Sequence, residues 1–310
     1  MSEQHYRGEH GDMFDDFEAK RVETSKAGIY LRIGGRGPPV LLIHGYPQSH
    51  VIWHQMAPAL AEQFTVIAPD LRGYGNSDAP ETDADHIAYS KRVMAEDMLQ
   101  VMAALGFRRF AVVGHDRGAR VAYRLALDHP DRVSHLCSLD VIPTADMWRL
   151  TDKNRAIGAF HWQFLAQPAP QPETLIGHDP DFFLEWLLAS WAADGFVFDA
   201  EALAEYKRCF RRPEVIHATC EDYRAGANID DELDKADRSA DRRVQCPVLF
   251  LWGAERGFGG TKNINPLSVW RHWASAEISG GPLACGHFLP EEAPDVVVQR
   301  LLPFLAAAND

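Results

Sequence analysis

The 310-residue sequence predicts an α/β fold with a mostly parallel sheet and helices on both faces. Two observations carry this prediction. Short apolar runs that end in polar residues alternate with stretches of helical periodicity, and one long segment rich in Trp, Phe, Pro and charged residues interrupts that alternation once. The pattern is typical of a sheet core that carries a helical insertion.

Five continuous apolar runs are predicted to be strands, because strands of a parallel sheet are buried on both faces. The runs are 38–44, 64–70, 110–115, 135–140 and 246–253. Helical patterns lie between them over 52–63, 90–105 and 117–128, and a closing helix is predicted over 293–308.

The interrupting segment spans residues 143–243 and contains the helical patches "PDFFLEWLLASWAADG" and "DAEALAEYKRCF". It contains no convincing strand pattern, and the sheet pattern resumes after it. The sequence therefore predicts a core of residues 1–142 and 244–310 with a cap domain of residues 143–243. The cap is expected over the carboxyl ends of the strands, where open α/β sheets bind ligands.

The composition narrows the classes of function. A net charge of −13 argues against a nucleic-acid partner, since binding phosphate requires a basic surface. The five cysteines are scattered without metal-binding spacing, which favours reduced thiols in a cytoplasmic protein and no bound metal. The amino terminus has no apolar signal-peptide region, and no apolar run is long enough to span a bilayer, so no membrane association is expected.

The stretch "GHDRG", residues 114–118, carries the first catalytic signal. A strand precedes it and a helix follows it, which is the setting of the G-x-S-x-G nucleophile turn of hydrolases. Asp116 stands where that turn has serine. A carboxylate attacks a saturated carbon that bears a leaving group and forms an ester, whereas a helix-capping role for Asp116 is the simpler alternative.

Two further motifs fit the same chemistry in the order expected along the chain. His287, in "CGHFLPEEAPD", follows the last expected strand and is the candidate base that activates water against the ester. "HGYP", residues 44–47, follows the first core strand, and the backbone N–H groups of Tyr46 and Arg117 are the candidate oxyanion hole.

Together "HGYPQSHVIWHQMAPAL", "PDLRGYGNSD", "GHDRGARVAYR" and "GHFLPEEAP" resemble the α/β-hydrolase superfamily. With "FHWQFLAQPAPQPETLIG" and "CEDYRAGA", the chain from about residue 28 to 304 closely resembles the fluoroacetate (haloacetate) dehalogenases. The resemblance implies an α/β-hydrolase fold with a helical cap after the sixth strand, no cofactor, a small anionic substrate and a homodimer.

The resemblance also assigns roles to residues. Arg117 and Arg120 match the arginines that bind the substrate carboxylate, and they lie three residues apart at a helix amino terminus that also favours anions. His161, Trp162 and Tyr223 match the donors that bind the departing halide. Arg124 is expected at the surface or in an ion pair.

The sequence leaves alternatives for the acid that orients His287 and for the aromatic residues that line the pocket. Asp140, at the end of the strand "HLCSLD", matches the acid of the family, while Glu255 in "WGAER" is the alternative near the position where many α/β hydrolases carry theirs. Tyr46 and Trp191 match pocket aromatics, although both could equally belong to the core.

Three functions are compatible with these residues. The first is a hydrolase acting on carbon–halide bonds that converts haloacetates to glycolate. The second is an epoxide hydrolase, which shares the Asp/His pair but leaves Arg117 and Arg120 unexplained and offers only Tyr206 as a second cap tyrosine beside Tyr223. The third is a non-catalytic receptor on a hydrolase fold.

Overall fold

The computed structural model describes residues 13–256 and 264–307. Its strands are β1 (Glu18–Glu23), β2 (Gly28–Gly34), β3 (Pro39–Ile43), β4 (Thr65–Pro69), β5 (Phe110–His115), β6 (Val133–Leu139), β7 (Val248–Gly253) and β8 (Ile278–Leu283). They form one sheet in the order β1-β2-β4-β3-β5-β6-β7-β8. The pairs β1–β2 and β2–β4 are antiparallel, and all later pairs are parallel.

The helices of the core are α1 (Ala57–Ala61), α2 (Lys91–Ala104) and α3 (Arg117–Asp128) before the insertion, and α12 (Pro266–Trp270), α13 (Leu289–Glu292) and α14 (Pro294–Ala306) after it. Between β6 and β7 lie α4 (Thr144–Arg149), α5 (Lys153–Gly158), α6 (His161–Leu165), α7 (Gln171–His178), α8 (Pro180–Trp191), α9 (Ala200–Phe210), α10 (Pro213–Ala227) and α11 (Ile229–Ser239). Two short 3-10 helices span His50–Trp53 and Ile87–Tyr89. The fold class predicted from the sequence is confirmed.

Successive residues of the central strands enter two different hydrophobic clusters. In β3, Val40 and Leu42 pack with α1 and α14 on one face, while Leu41 and Ile43 pack with α2 and α3 on the other. Side chains alternate between the two faces of a strand, so covering both faces requires an unbroken apolar run. Each methylene buried in this way contributes about 0.8 kcal/mol, which explains why these strands were readable from the sequence.

Three strands were not predicted, and two of them, β1 and β8, form the edges of the sheet, where apolar runs are not required. β1 is an edge strand of alternating exposure, and β2 joins it in an antiparallel pair. β8 forms the opposite edge, and its sequence "ISGGPL" is mostly exposed. Edge strands keep one side in solvent and tolerate Gly and Pro, so their sequences carry little apolar signal.

The topology brings several loops to one edge of the sheet. His44, Asp116 and Asp140 directly follow the parallel strands β3, β5 and β6, and His287 follows β8 by four residues. The carboxyl ends of parallel strands face the same edge. The helical insertion, residues 143–243, also leaves the sheet there, because it begins just after Asp140.

Candidate active site

Asp116 lies in a sharp turn between β5 and α3. Its backbone has φ 48° and ψ −119°, a left-handed conformation that non-glycine residues rarely adopt. Two glycines make this turn possible: a Cβ on Gly118 would lie 2.2 Å from the carbonyl oxygens of Ile43 and His44, and one on Gly114 would lie 2.5 Å from Ala119 Cα. The strained turn presents the Asp116 side chain at the sheet edge, as nucleophile turns do.

The carboxylate of Asp116 is buried and surrounded by donors and positive charge. Its Oδ1 accepts a hydrogen bond from the Tyr46 backbone N–H at 3.0 Å, and its Oδ2 lies 3.8 Å from His287 Nε2. Burial alone would raise the pKa of Asp116, but electrostatic interactions with His287, His115, Arg117 and Arg120 lower it below its ordinary value. Asp116 is therefore an ionised carboxylate at neutral pH.

His287 is paired with Asp140. The ring Nδ1 lies 2.5 Å from Asp140 Oδ2, and Asp140 Oδ1 accepts from the Gly253 N–H at 2.9 Å. Burial opposes protonation of His287, but the hydrogen bond and the charge of Asp140, with that of Asp116, raise its pKa above the ordinary value. Glu255, the alternative acid, is exposed, although it also lines the cavity.

The two arginines predicted to bind a carboxylate have different partners. Arg117 donates from Nε and Nη2 to the carboxylate of Asp222, the Nε bond being 3.1 Å, and Nη2 also donates to the Asp222 carbonyl at 2.6 Å. Its guanidinium lies 4.1 Å from the centre of the Tyr223 ring. The charge of Arg117 is thus largely neutralised by an aspartate of α10.

Arg120 is held by neutral groups. Its Nη1 donates to the Ile142 carbonyl at 3.0 Å and to Thr144 Oγ1 at 3.1 Å, and its guanidinium lies 4.5 Å from the Trp162 ring centre. Among the residues that the structure describes, no carboxylate forms an ion pair with it. Burial, followed by repulsion from Arg117, lowers its pKa, so the site holds a cation that an anion would stabilise.

The three predicted halide donors lie together on the insertion side. The ring centre of Tyr223 is 5.6 Å from that of His161 and 5.8 Å from that of Trp162. Tyr223 Oη and His161 Nδ1 are buried and have no hydrogen-bond partner in the described part of the chain. Burial lowers the pKa of His161 to about 3, so its ring is neutral and can donate from one nitrogen only.

Aromatic side chains join these groups to the histidine loop. Trp191 lies 4.4 Å from His161 and 5.6 Å from His287 between ring centres. Tyr46 contacts Trp191 at 6.2 Å and Tyr223 at 5.2 Å. Tyr46 and Trp191, for which a core role was equally open, therefore pack within the group of candidate residues.

A cavity of about 510 Å³ opens at this position. Its lining includes Asp116, Arg120, Asp140, His161, Trp162, Trp191, Glu255 and His287. Arg117, Tyr46 and Tyr223 do not line it directly and instead pack against residues that do. The structure thus brings both catalytic carboxylate candidates, the histidine and the donor groups to one pocket between sheet and insertion.

Two secondary expectations concern single residues. Of the two alternatives for Arg124, the structure shows the ion pair: Arg124 is buried and pairs with Asp234 and Asp237 of α11 at 2.8 and 2.5 Å. Tyr206, the only second tyrosine offered for an epoxide site, donates its hydroxyl to Glu291 at 3.0 Å and does not line the cavity.

Asp222 is a residue that sequence reasoning missed. It accepts from Arg117, from Lys91 Nζ and from the Tyr74 hydroxyl at 2.6 Å. The charges and hydrogen bonds of Arg117 and Lys91 lower its pKa in spite of complete burial. It directly precedes Tyr223 in "CEDYRAGA". The usable signal was a carboxylate directly adjacent to Tyr223, a predicted site residue.

Neither a cluster of candidate metal ligands nor a membrane-spanning helix is found among the described residues. Across 13–256 and 264–307, no group of three or more His, Cys, Asp or Glu side chains is arranged to hold an ion. Over the same ranges no helix has both the length and the apolar character needed to cross a bilayer. All five cysteines lie within these ranges, and they are buried and free of disulfides.

Comparison with known proteins gives consistent matches over nearly the whole chain. The α/β hydrolase fold family profile matches residues 38–294. A fluoroacetate dehalogenase from Burkholderia sp is 45% identical over 300 residues, which cover 96% of each chain. A soluble epoxide hydrolase from Corynebacterium sp. (strain C12) is 37% identical over 279 residues, covering 88% of this chain and 91% of the other.

Solved structures agree with these matches. The crystal structure of a chain from Nostoc sp PCC 7120, described as an α/β hydrolase, superposes with a TM-score of 0.91 at 53% identity. The superposition covers 94% of this chain and 99% of the Nostoc chain.

Proposed function

The chain belongs to the α/β-hydrolase family, and we propose that it hydrolyses the carbon–halogen bond of haloacetates, such as fluoroacetate or chloroacetate, to give glycolate and halide. The main support is the environment of Arg120. This buried cation lines the same cavity as Asp116, and its hydrogen-bond partners are neutral groups. A neutral substrate would bring no anion to this charge, and the ester formed in the first step would remove the Asp116 charge that acts on it. The similarity to a fluoroacetate dehalogenase supports the same conclusion.

In the first step, an oxygen of the Asp116 carboxylate attacks the carbon that bears the halogen. The carbon–halogen bond breaks, the halide leaves with the bonding electrons, and an ester joins Asp116 to the remaining acetate. Arg120 and the unpaired Nη1 of Arg117 are the donors proposed for the substrate carboxylate. His161, Trp162 and Tyr223 are the donors proposed for the departing halide.

In the second step, water attacks the carbonyl carbon of the Asp116 ester while its proton passes to His287 Nε2. Asp140 fixes the ring and stabilises its protonated form. The Tyr46 N–H already donates to Asp116 Oδ1 and is positioned for the developing oxyanion, and the Arg117 N–H is proposed as the second donor. The ester bond then breaks, His287 returns its proton to the glycolate oxygen, and Asp116 loses a proton to solvent.

The test is halide release by the purified protein, measured with fluoride and chloride electrodes on fluoroacetate and chloroacetate. We expect release that Asp116→Ala abolishes, because no other described carboxylate lies in the nucleophile turn. An active wild type whose Asp116→Ala variant keeps its rate would overturn the assignment of the nucleophile. A folded wild type that releases no halide from fluoro-, chloro- or bromoacetate would refute the proposed function.

Epoxide hydrolysis is the second candidate, favoured by the relative named as a soluble epoxide hydrolase and by the unpaired Tyr223 hydroxyl. It would use the same Asp116 and His287. Against it, Tyr206 is committed to Glu291, and a neutral epoxide leaves Arg120 without an anion. Turnover of styrene oxide without turnover of haloacetates would decide for this alternative, and absence of both would favour a non-catalytic ligand receptor.

We further propose that residues 143–243 act as a cap domain and that the cytoplasmic protein forms a homodimer. Exposed apolar side chains on two helices of this segment support an interface there: Leu175 on α7, and Phe182 and Trp186 on α8, are 56%, 64% and 46% exposed. Light scattering coupled to gel filtration should give twice the chain mass. Trp186→Asp should shift it to the monomer, and a monomeric wild type would refute the proposal.

A further inference from the structure

One carboxylate holds the loop that carries His287. Glu292, the last residue of α13, accepts backbone hydrogen bonds from both neighbours of the histidine: Oε2 from the Gly286 N–H at 2.7 Å and Oε1 from the Phe288 N–H at 2.7 Å. Oε2 also accepts from the Ala193 N–H at 2.8 Å, which lies just beyond α8 of the insertion. Three backbone donors from two parts of the chain thus share one side chain.

The backbone of His287 itself is fixed by two other bonds. Its N–H donates to the Trp191 carbonyl at 2.9 Å, and its carbonyl accepts from His115 Nε2 at 2.8 Å. Burial lowers the pKa of His115 to about 3, so this donor is a neutral imidazole with its proton on Nε2. The backbone of His287 is therefore bonded on one side to His115, at the end of β5, and on the other side to Trp191 of the insertion.

The insertion and the histidine loop are in direct backbone contact. A Cβ on Gly286 would lie 2.4 Å from the Ala193 nitrogen and 2.6 Å from the Ala192 carbonyl carbon. Trp191, one residue earlier, lines the cavity and packs on the His287 ring. Glu292 Oε2 links the two segments, because it accepts hydrogen bonds from both the Gly286 N–H and the Ala193 N–H.

We propose that Glu292 is a positioning residue for ester hydrolysis: by holding the backbone on both sides of His287 and at the end of α8, it fixes His287 Nε2 where it accepts the proton of the attacking water. The proposal rests on the proposed two-step function. It assigns Glu292 no part in halide displacement, since none of the hydrogen bonds of Glu292 involves Asp116, Arg120 or the candidate halide donors.

A charged carboxylate is required for this arrangement. Each of its oxygens accepts N–H bonds, and hydrogen bonds to an ionised carboxylate are stronger than those between neutral groups. In Glu292→Gln one of the two oxygens becomes an NH₂ group, which faces one or two backbone N–H donors and repels them. The loop then loses its clamp while the side-chain volume and the protein core are preserved.

Glu291 supplies the matched control. It is the neighbouring residue, and its carboxyl bonds to Gln48 and Tyr206 rather than to the backbone around His287. Burial raises the pKa of Glu291 to about 8, so it is largely protonated at neutral pH and the amide of Glu291→Gln is a close replacement.

The experiment separates the two chemical steps. With enzyme in excess over chloroacetate, chloride release in a single turnover reports the attack of Asp116. Steady-state chloride release reports the full cycle, and intact-protein mass spectrometry reports the ester. For Glu292→Gln we expect single-turnover chloride release within about threefold of the wild-type rate, because Asp116 is not affected. Steady-state chloride release should be at least tenfold slower, and the ester should accumulate. Glu291→Gln should resemble the wild type in all three measurements.

Either of two results would overturn the inference: equal slowing of both steps in Glu292→Gln, or no slowing of steady-state release. If Glu292→Gln does not fold, Glu292→Asp keeps the carboxylate but shortens its reach by one methylene, and the same split between steps is required of it. Failure of the proposed function looks different, because the wild type itself would then release no halide.

Discussion

The two walls of the cavity differ in how their polar groups are paired. On the sheet wall, Asp116, Asp140 and the Nδ1 of His287 bond to one another or to backbone N–H groups. The insertion wall consists of His161, which lines the cavity, and Tyr223, which packs behind it; His161 Nδ1 and Tyr223 Oη are buried without a partner among the described residues. An unpaired buried group costs about 1–3 kcal/mol. Asp116, Asp140 and His287 on the sheet wall are paired except at His287 Nε2, which has no partner among the described residues.

The difference teaches how the proposed reaction divides between the two walls. A self-consistent hydrogen-bonded set holds nucleophile, base and acid in fixed geometry before any substrate binds, which is the requirement for preorganised catalysis. Unpaired donors, in contrast, gain most when an anion arrives. We therefore expect changes on the sheet wall to stop a chemical step, and changes on the insertion wall to alter the discrimination among halides.

The largest effect is expected for His287→Ala on the sheet wall. Without the base, ester hydrolysis should slow by about 10³-fold, while one halide per active site is still released. Mass spectrometry of the whole protein should detect the ester after incubation with chloroacetate. The exposed His272 provides the control, since His272→Ala should turn over normally. An unmodified His287→Ala protein after prolonged incubation would break the assignment of the base.

On the insertion wall, Tyr223→Phe should reduce kcat/KM for fluoroacetate by about 10²-fold, because one preorganised donor stabilises a developing anion by about 2.7–4 kcal/mol. Chloroacetate should lose less, since chloride is the better leaving group and accepts weaker hydrogen bonds. Parallel electrode assays measure both rates. Tyr206→Phe, which removes a hydroxyl outside the cavity, is the control. Equal losses for the two halides would contradict a halide-binding role.

Arg120 lies where the two walls meet, and its removal tests recognition of the carboxylate. Arg120→Met should raise KM for chloroacetate and the inhibition constant of acetate by about 10- to 100-fold, which corresponds to a charge-assisted bond of about 1.5–3 kcal/mol. Arg120→Lys keeps the positive charge but lacks the planar guanidinium, so its KM and inhibition constant should lie between those of the wild type and Arg120→Met. An unchanged inhibition constant for acetate in Arg120→Met would remove the argument for an anionic substrate.

The two chemical steps should also differ in the pH dependence of their rates. Because the pKa of Asp116 is lowered and that of His287 is raised, single-turnover halide release should be constant from about pH 6 to 8. Steady-state turnover needs neutral His287 and should fall about tenfold per pH unit on the acid side of a midpoint above about 6.5. Parallel acid limbs for both steps would show that His287 does not act in the second step alone.

The smallest effect is expected at Glu291, which joins the insertion to the sheet wall through Tyr206 and Gln48. Its pKa is raised from 4.5 to about 8 by burial, so the folded protein favours the protonated form. Stability from this group is present below about pH 4.5 and is lost as pH rises through about 8. In Glu291→Gln the melting temperature should therefore fall by a few degrees less than in the wild type between about pH 4.5 and 8, as measured by thermal unfolding. An equal fall in both proteins would show that Glu291 does not cause the loss of stability.

Much of the sheet wall was readable from local sequence. "GHDRG" between a strand and a helix located Asp116, and its glycines are required because Cβ atoms would collide with backbone at both positions. The order of "HGYP", Asp116 and His287 followed the strand order that places them at one edge. By contrast, the edge strands β1 and β8 were missed, since half-exposed strands do not require apolar runs.

The partners of the arginines could not be read in the same way. Arg117 and Arg120 look equivalent at positions i and i+3, yet α10 of the insertion brings Asp222 against one and no carboxylate against the other. The buried pairing of Arg124 with α11 and the bond from the Ala193 N–H to Glu292 have the same origin. Each depends on contacts between segments about a hundred residues apart, which leave no periodic trace along the chain.

The sequence alone thus determined the α/β-hydrolase fold and the position of the helical insertion, and it supplied the candidate catalytic groups, because strand burial and turn geometry are imposed by neighbouring residues. The tertiary structure alone decided which groups are paired, which charge is left to meet an anion, and how the insertion is joined to the histidine loop. Pairing in a buried site is set by which distant side chains share a low-dielectric space, and only the packed fold defines that space.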